Sequence, residues 1–168
     1  MIIDGRKIAE NIIAKLKKLP KPDKILAAIL VGENSQSKSF LRQKEKIATE
    51  LGVNFQLYKF SEKISESELT SEIKKIGEDE KVGGIIVQLP LPSQYNRDAV
   101  LSVINPKKDI DVLSAESWKF ALPLPVEVVS DILENLKLKI QDFKIAVVGR
   151  GFLVGKPIME WLKKMKQP

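Results

Sequence analysis

The stretch that decides the fold is residues 84–92, which read GIIVQLPLP. An apolar run that begins at a glycine and stops at two prolines is typical of a short strand buried on both faces of a parallel sheet. Residues 25–31 (ILAAILV) form a second run of this kind, and residues 53–60 alternate as a third strand. Helical spacing occurs in residues 8–19, 35–51 and 65–77. Strands that alternate with helices predict an α/β domain with a parallel sheet.

Local signals mark the ends of two of these helices. Ser65 and Glu68 have the spacing of a capping box, in which each residue bonds to the backbone of the other. Gly52 follows the second helix as a stop signal.

The last third of the chain begins a second α/β unit. Residues 126–136 read as a helix, residues 144–148 (KIAVV) as a strand, and the residues from Pro157 as a further helix. We therefore expect an α/β domain over roughly the first two thirds of the chain, followed by the first strand, turn and helix of a second α/β unit. Only eleven residues follow Pro157, too few for the remaining strands of a complete nucleotide-binding domain.

Composition excludes several kinds of site. The 168 residues include no cysteine and no histidine, which excludes disulfides, thiolate nucleophiles, Cys/His zinc sites and serine-histidine-carboxylate triads. The net charge is +6, but arginine supplies only four of the 28 basic residues, and nucleic-acid recognition favours arginine. The charge therefore favours a small anionic ligand over nucleic acid.

The sequence also shows no membrane signal. Its longest apolar run, residues 25–31, is too short to span a bilayer. The first ten residues include an acid and a helical pattern where a signal peptide would be apolar. We expect a cytoplasmic protein with no membrane partner.

The second predicted helix places a lysine within an apolar face. Positions 37, 40, 41, 44, 47, 48 and 51 share one face and read Ser, Phe, Leu, Lys, Ile, Ala and Leu. Lys44 is either a lysine that extends along the helix edge to water, which helix spacing alone favours, or a desolvated amine that acts as a base.

Polar residues at the end of the 84–92 strand and in the loop beyond it are further candidates. Ligands of open α/β sheets bind at the carboxyl ends of the strands, and Gln88 lies at such an end. Its alternative role is a core amide bonded to neighbouring backbone. Asp109 and Asp111 lie two residues apart in a predicted loop. Three interpretations are open: a charged turn, an acid that binds a ligand, or a metal site. No histidine or third nearby carboxylate completes a metal ligand set, so we expect no metal.

Residues 147–157 (VVGRGFLVGKP) combine a strand end, a glycine turn and a helix start. Glycines in such a turn let backbone N–H groups approach a pyrophosphate. The spacing is neither G-x-G-x-x-G nor that of the ATP/GTP phosphate loop, which requires a hydroxyl where this chain has Pro157.

Five motifs in order resemble those of one family, the bifunctional methylenetetrahydrofolate dehydrogenase/methenyltetrahydrofolate cyclohydrolases. The motifs are Ile3-Asp-Gly5, Val31-Gly32 followed by Ser37, Phe40 and Lys44, the stretch 84–92, Lys108-Asp-Ile-Asp111, and Val148-Gly-Arg150 with Val154-Gly-Lys-Pro157. The resemblance implies a three-layer αβα folate domain at residues 1–120, followed at residues 121–168 by a linker helix and the first strand, turn and helix of an incomplete NADP-binding Rossmann domain. The family's proteins are usually homodimers. It also implies two reactions: oxidation of 5,10-methylenetetrahydrofolate with NADP, and hydrolysis of the methenyl product to 10-formyltetrahydrofolate.

Residue roles follow from the same resemblance. Lys44 resembles the proton-transferring residue of the cyclohydrolase step, Gln88 its hydrogen-bonding neighbour, and Asp111 the carboxylate that binds the N–H groups of the pterin ring. The implied substrate contacts are Ser37, Phe40, Pro90 and Pro92. The implied NADP contacts are Gly149, Arg150, Gly151, Val154, Gly155 and Lys156.

The chain departs from the family pattern in several places. Phe40 stands where the family usually has tyrosine, Val112 where it has the glycine of Asp-Gly-Phe, and Gly151 where it has the serine of Gly-Arg-Ser. Residues 122–127 replace the usual Pro-Cys-Thr-Pro-x-Gly segment. The length implies a C-terminally truncated chain with incomplete NADP binding. The alternatives are a non-catalytic folate-binding or dimerisation module and a fragment of a longer enzyme.

Overall fold

The computed structural model describes residues 2–165, in two compact units that meet in sequence at Ile110 and Asp111. The first unit contains α1 (Gly5–Leu16), β1 (Ile25–Val31), α2 (Ser35–Glu50), β2 (Asn54–Phe60), α3 (Glu66–Glu78), β3 (Val82–Val87) and α4 (Arg97–Ser102). The second contains α5 (Leu124–Asn135), α6 (Gly155–Met165) and the 3-10 turns Ser117–Lys119 and Ile140–Asp142. Within the described range, no helix combines the length and the apolar character needed to cross a bilayer.

The first unit is built on a parallel sheet in the order β2-β1-β3, which confirms the predicted α/β class. β1 pairs with β2 from Ile25 opposite Asn54 to Val31 opposite Phe60. Because β1 has a strand on each side, its last five residues are buried. Ala28, Leu30, Leu41 and Ile86 form a core cluster in which α2 packs on β1 and β3.

A short segment extends the sheet beyond β3. Ile85 N donates to Lys108 O at 2.6 Å, and Ile110 N donates to Ile85 O at 3.1 Å, so Ile85 and Asp109 form a parallel bridge. Gly84 permits this approach, because a Cβ at that position would lie 2.6 Å from Ile110 Cδ1. Glycine at position 84 of β3 therefore allows the Lys-Asp-Ile-Asp motif to lie against the strand.

The helix ends follow the predicted signals closely. Ser65 Oγ accepts from Glu68 N at 3.2 Å while Ser65 N donates to Glu68 Oε2 at 3.1 Å, which confirms the capping box. Gly52 has a φ of +72° just past α2, as expected of a stop signal. α1 ends at Leu16, earlier than the predicted Leu19. Lys18 N and Leu19 N donate to the carbonyls of Lys15 and Leu16, three residues back, so the chain leaves the α-helix in tighter turns before Pro20.

The second unit has its own small core, and one prediction there is wrong. Val126, Ile140, Trp161 and Leu162 pack together, with the half-buried Val147 against them. The predicted strand at residues 144–148 does not form. A strand requires a hydrogen-bonded neighbour, and the described part of the second unit contains no other strand. Within residues 144–148 only Val147 is half-buried, and Val148 beside it is fully exposed.

Candidate functional site

The N-terminus of α2 buries a hydroxyl group that has no partner. Asn34 caps the helix by accepting from Ser37 N at 2.9 Å, and this fixes Ser37 in the first turn. Ser37 is only 1% exposed. Its Oγ makes no hydrogen bond in the described structure, although a buried hydroxyl without a partner is costly.

Gln88 presents a second unpartnered atom directly after β3. Its backbone N–H continues the sheet by donating to Ile29 O at 2.9 Å, and its side chain is 8% exposed. Nε2 donates to Leu89 O at 2.7 Å. Because that carbonyl can only accept, the remaining amide atom is the oxygen, and Oε1 has no partner. The alternative role of Gln88 as a core amide bonded to neighbouring backbone is therefore met by Nε2 but not by Oε1.

Ser37 and Gln88 both follow the carboxyl ends of adjacent strands. Ser37 lies in the helix that leaves β1, and Gln88 leaves β3, which pairs with β1 in parallel. The loops beyond these strands also approach each other: a Cβ at Gly32, where φ is +78°, would lie 3.6 Å from Pro92 Cγ. Among residues 2–165, Ser37 Oγ and Gln88 Oε1 are the buried side-chain atoms that lack a partner. Hydrogen-bonding capacity left open at the ligand-binding edge of the sheet marks the candidate site.

Phe40 and Lys44 occupy the next two turns of α2 after Ser37. Lys44 is half-buried, and Phe40 is 59% exposed. The predicted apolar face is therefore only partly buried, with Leu41 and Ala48 inside and Phe40 and Ile47 outside. An exposed aromatic ring one turn from an amine suits a planar ligand, because the ring can stack on it.

A neighbouring ion pair shows which other charges lie near the start of α2. Lys38 Nζ donates to Glu33 Oε2, and this bond lowers the pKa of the Glu33 carboxyl below its ordinary value. The positive charge of Lys38 is thereby matched locally.

Asp111 begins the second unit, and an unusual backbone conformation follows it. Asp111 is half-buried and forms part of a turn. Val112 has a φ of +51°, in the left-handed region that costs a non-glycine residue roughly 1–3 kcal/mol. Glycine adopts positive φ without strain, so valine at this position is held in a conformation that its side chain disfavours.

The glycine turn before α6 closes on itself. Gly149 has a φ of +105°, and a Cβ at Gly155 would lie 2.2 Å from Gly149 O. Lys156 N donates to Gly151 O at 3.0 Å. Arg150, Val154 and Lys156 are exposed around this turn.

Sequence reasoning missed two residues that shape these sites. Asn34 could have been identified as an N-cap from its place before the helical spacing. Trp118, whose indole Nε1 donates to Val112 O at 3.1 Å, had no signal in the sequence. Among the described residues, no group of three or more His, Cys, Asp or Glu side chains could hold a metal ion.

Comparison with known proteins identifies the family. The model of the tetrahydrofolate dehydrogenase/cyclohydrolase catalytic domain matches residues 3–111, a range that includes Ser37, Lys44, Gln88 and Asp111. The bifunctional protein FolD of Halothermothrix orenii is 33% identical over 177 aligned positions, which span 96% of this chain and 62% of that protein. The chain therefore spans about three-fifths of the length of such a relative.

Solved structures agree with the sequence comparison. FolD of Campylobacter jejuni superposes with a TM-score of 0.88 at 27% identity, over 96% of this chain and 62% of the other. The FolD of Trypanosoma brucei, solved with NADP cofactor and an inhibitor, gives a TM-score of 0.86 at 26% identity, over 98% and 61%. The family model matches more than half of this chain, and the chain shares the fold of the solved FolD structures. The chain therefore belongs to the tetrahydrofolate dehydrogenase/cyclohydrolase family.

Proposed function

We propose that this chain binds a tetrahydrofolate derivative and hydrolyses 5,10-methenyltetrahydrofolate to 10-formyltetrahydrofolate. The observation that carries the proposal is the pair of buried, unpartnered atoms, Ser37 Oγ and Gln88 Oε1, at the carboxyl edge of the sheet. Their desolvation is offset when a polar ligand, or water in its place, completes their hydrogen bonds. Membership of the family supplies the ligand class.

Lys44 is the proposed proton-transferring residue. Water attacks the methenyl carbon, Lys44 accepts the proton that the water loses, and a carbinolamine forms. The carbinolamine hydroxyl then loses its proton as the C=O bond of the formyl group forms, the bond from that carbon to N5 breaks, and N5 takes up a proton before 10-formyltetrahydrofolate leaves. A bound cation favours the neutral form of a neighbouring amine, which is the form that accepts a proton.

Gln88 and Ser37 are proposed to orient the reacting atoms. Gln88 Nε2 is held by Leu89 O, so the direction of Oε1 is fixed and this oxygen can accept from Lys44 or from the attacking water. Ser37 is fixed by the Asn34 cap, and its hydroxyl can donate to the substrate. Preorganised groups of this kind lower the barrier because they need no rearrangement during the reaction.

The remaining contacts are proposed to bind the folate ring system. The exposed Phe40 ring stacks on the pterin or on the aromatic ring beside it. The Asp111 carboxylate accepts hydrogen bonds from the pterin N–H groups. Pro90 and Pro92, in the loop after β3, line the same edge of the sheet as Gln88.

The dehydrogenase reaction of the family needs an NADP site. In this chain the turn from Gly149 to Lys156 would hold the cofactor's phosphates, and the exposed Arg150 and Lys156 would match their charge. Bound NADP supplies a hydride acceptor. We propose a folate domain at residues 1–120 and the beginning of an NADP-binding domain at residues 121–168, and we expect little NADP reduction by this chain alone.

A homodimer is the proposed assembly. β2 pairs with β1 along one side, and in the described sheet its other side has no strand. An open edge with the half-buried residues Phe55, Leu57 and Phe60 favours pairing with a second copy.

Two assays test the proposal on the full chain. Methenyltetrahydrofolate absorbance should fall faster with enzyme than in buffer alone, and calorimetry should detect binding of 5-formyltetrahydrofolate, a stable tetrahydrofolate derivative. Binding without turnover would identify a non-catalytic folate-binding module. If the chain shows neither folate binding nor turnover, the whole proposal is contradicted.

A further inference from the structure

The turn that follows Asp111 is held in a conformation that its own sequence disfavours. Val112 has a φ of +51°, and its side chain is 4% exposed. A β-branched residue rarely adopts left-handed backbone, because its Cβ crowds the adjacent carbonyl. Bonds from other residues must therefore hold this turn in place.

The indole of Trp118 supplies such a bond. Trp118 Nε1 donates to Val112 O at 3.1 Å, which closes the loop between residues 112 and 118. This bond restrains the peptide plane that follows Val112, and the loop it closes restrains the positive φ by which the chain leaves Asp111.

The position of Trp118 is itself determined by the loop. Trp118 lies in the 3-10 turn Ser117–Lys119. Ser117 N donates to Ser114 Oγ at 3.1 Å, and the two serine hydroxyls are 2.6 Å apart. Lys164 Nζ lies 5.7 Å from the centroid of the Trp118 ring, a cation–π distance. The serine bonds restrain the turn that carries Trp118, and Lys164 lies over its ring.

We propose that Trp118 is a positioning residue for folate binding: its indole N–H holds Val112 in the left-handed conformation and thereby directs the Asp111 carboxylate toward the pterin N–H groups. This inference rests on the proposed function, in which Asp111 is the acid that binds the pterin. Trp118 Nε1 bonds to the backbone of Val112, so its proposed effect on folate binding is exerted through Asp111.

Trp118→Phe is the direct test, because phenylalanine keeps an aromatic ring at this position and lacks the N–H donor. We expect the affinity of the full chain for 5-formyltetrahydrofolate to fall about fivefold, the size of one lost hydrogen bond. In the cyclohydrolase assay KM should rise while kcat stays nearly constant, since the reacting groups are untouched. Glu116→Gln, which removes an exposed charge paired with Lys119 in the same turn, should change neither value.

Rescue by Val112→Gly separates positioning from a general structural role. Glycine adopts the left-handed conformation unaided, so Val112→Gly in the Trp118→Phe background should restore most of the lost affinity. The melting temperature should follow the same pattern, with Trp118→Phe lowering it more when residue 112 is valine than when it is glycine. If Trp118→Phe alone does not fold, the folded double variant should bind folate nearly as tightly as the unchanged chain.

Each outcome decides between the two proposals. If the unsubstituted chain and Trp118→Phe bind 5-formyltetrahydrofolate equally well, the positioning role is overturned. The proposed function is then left standing. Weakened binding that Val112→Gly fails to rescue would also overturn it. An unchanged chain that neither binds 5-formyltetrahydrofolate nor hydrolyses methenyltetrahydrofolate would overturn both.

Discussion

Lys108 Nζ donates to the carbonyl of Gly77 at 2.7 Å. The same amine donates to Asp79 O at 3.0 Å, so it caps the C-terminal end of α3. A cation at this end of a helix satisfies carbonyls that lack partners and interacts favourably with the helix dipole. The lysine of the Lys-Asp-Ile-Asp motif is therefore a structural anchor for the segment that pairs with β3.

Lys108→Met should destabilise the protein without altering chemistry at Lys44. Loss of two charge-assisted hydrogen bonds predicts a decrease of about 1–2 kcal/mol in the free energy of unfolding, measured by urea titration. Lys81→Met is the matched control, because that side chain is exposed in the loop between α3 and β3. Equal stability of the two variants would remove the capping role.

Gly84→Ala should weaken the pairing between β3 and the same segment. The new methyl group would lie 2.6 Å from Ile110 Cδ1 and 3.3 Å from Leu26 Cδ1, so Ile110 must rotate away at a cost of about 1 kcal/mol. Gly5→Ala, where nothing lies within 4 Å, should show no loss in the same melting experiment. The prediction is contradicted if Gly84→Ala is as stable as the unsubstituted chain and its Ile110 amide is still protected from hydrogen exchange.

Ser37→Ala should separate stability from binding. Removing a buried hydroxyl without a partner should leave the free energy of unfolding unchanged or raise it by about 1 kcal/mol, while the affinity for 5-formyltetrahydrofolate falls. Ser39→Ala, on an exposed position of the same helix, should alter neither quantity. A destabilised Ser37→Ala protein with normal affinity would show that the hydroxyl is structural.

Glu68 gives the stability a defined pH dependence. The Ser65 hydroxyl, and then the Ser65 backbone N–H, lower the pKa of the Glu68 carboxyl below its ordinary value. The stabilisation is therefore present above the ordinary pKa of glutamate and disappears as the pH falls through the lowered one. Carboxyl titration by NMR should show the lowered pKa, and Ser65→Ala should raise it; an unchanged midpoint would argue against the capping box in solution.

Local patterns predicted most of the first unit, and tertiary relationships explain what was missed. The β1 strand and the Ser65 cap depend on periodicity and short-range bonds, both of which are visible in sequence. The predicted strand at residues 144–148 failed because an apolar run carries no information about whether a neighbouring strand exists. The sign of φ at Val112 was not predictable, because the bond that accompanies it comes from Trp118 six residues away.

At the candidate site, too, local sequence patterns predicted some features, and others depend on tertiary packing. The position of Gln88 at a strand end followed from parallel-sheet geometry, and the structure places it there with Oε1 unpartnered. The spacing of Ser37, Phe40 and Lys44 placed them on one helix face, but it could not distinguish the buried Ser37 from the exposed Phe40. Burial depends on what packs against the helix, which spacing alone does not specify.

The rate of methenyltetrahydrofolate hydrolysis by Lys44→Met tests the central claim most directly. Lys46→Met serves as its control, since Lys46 is exposed on the same helix two residues away. If Lys44 transfers the proton, Lys44→Met should lower kcat by about 100-fold or more while 5-formyltetrahydrofolate still binds, and Lys46→Met should keep the full rate. Equal rates for the two variants, both above the rate in buffer, would contradict the role of Lys44.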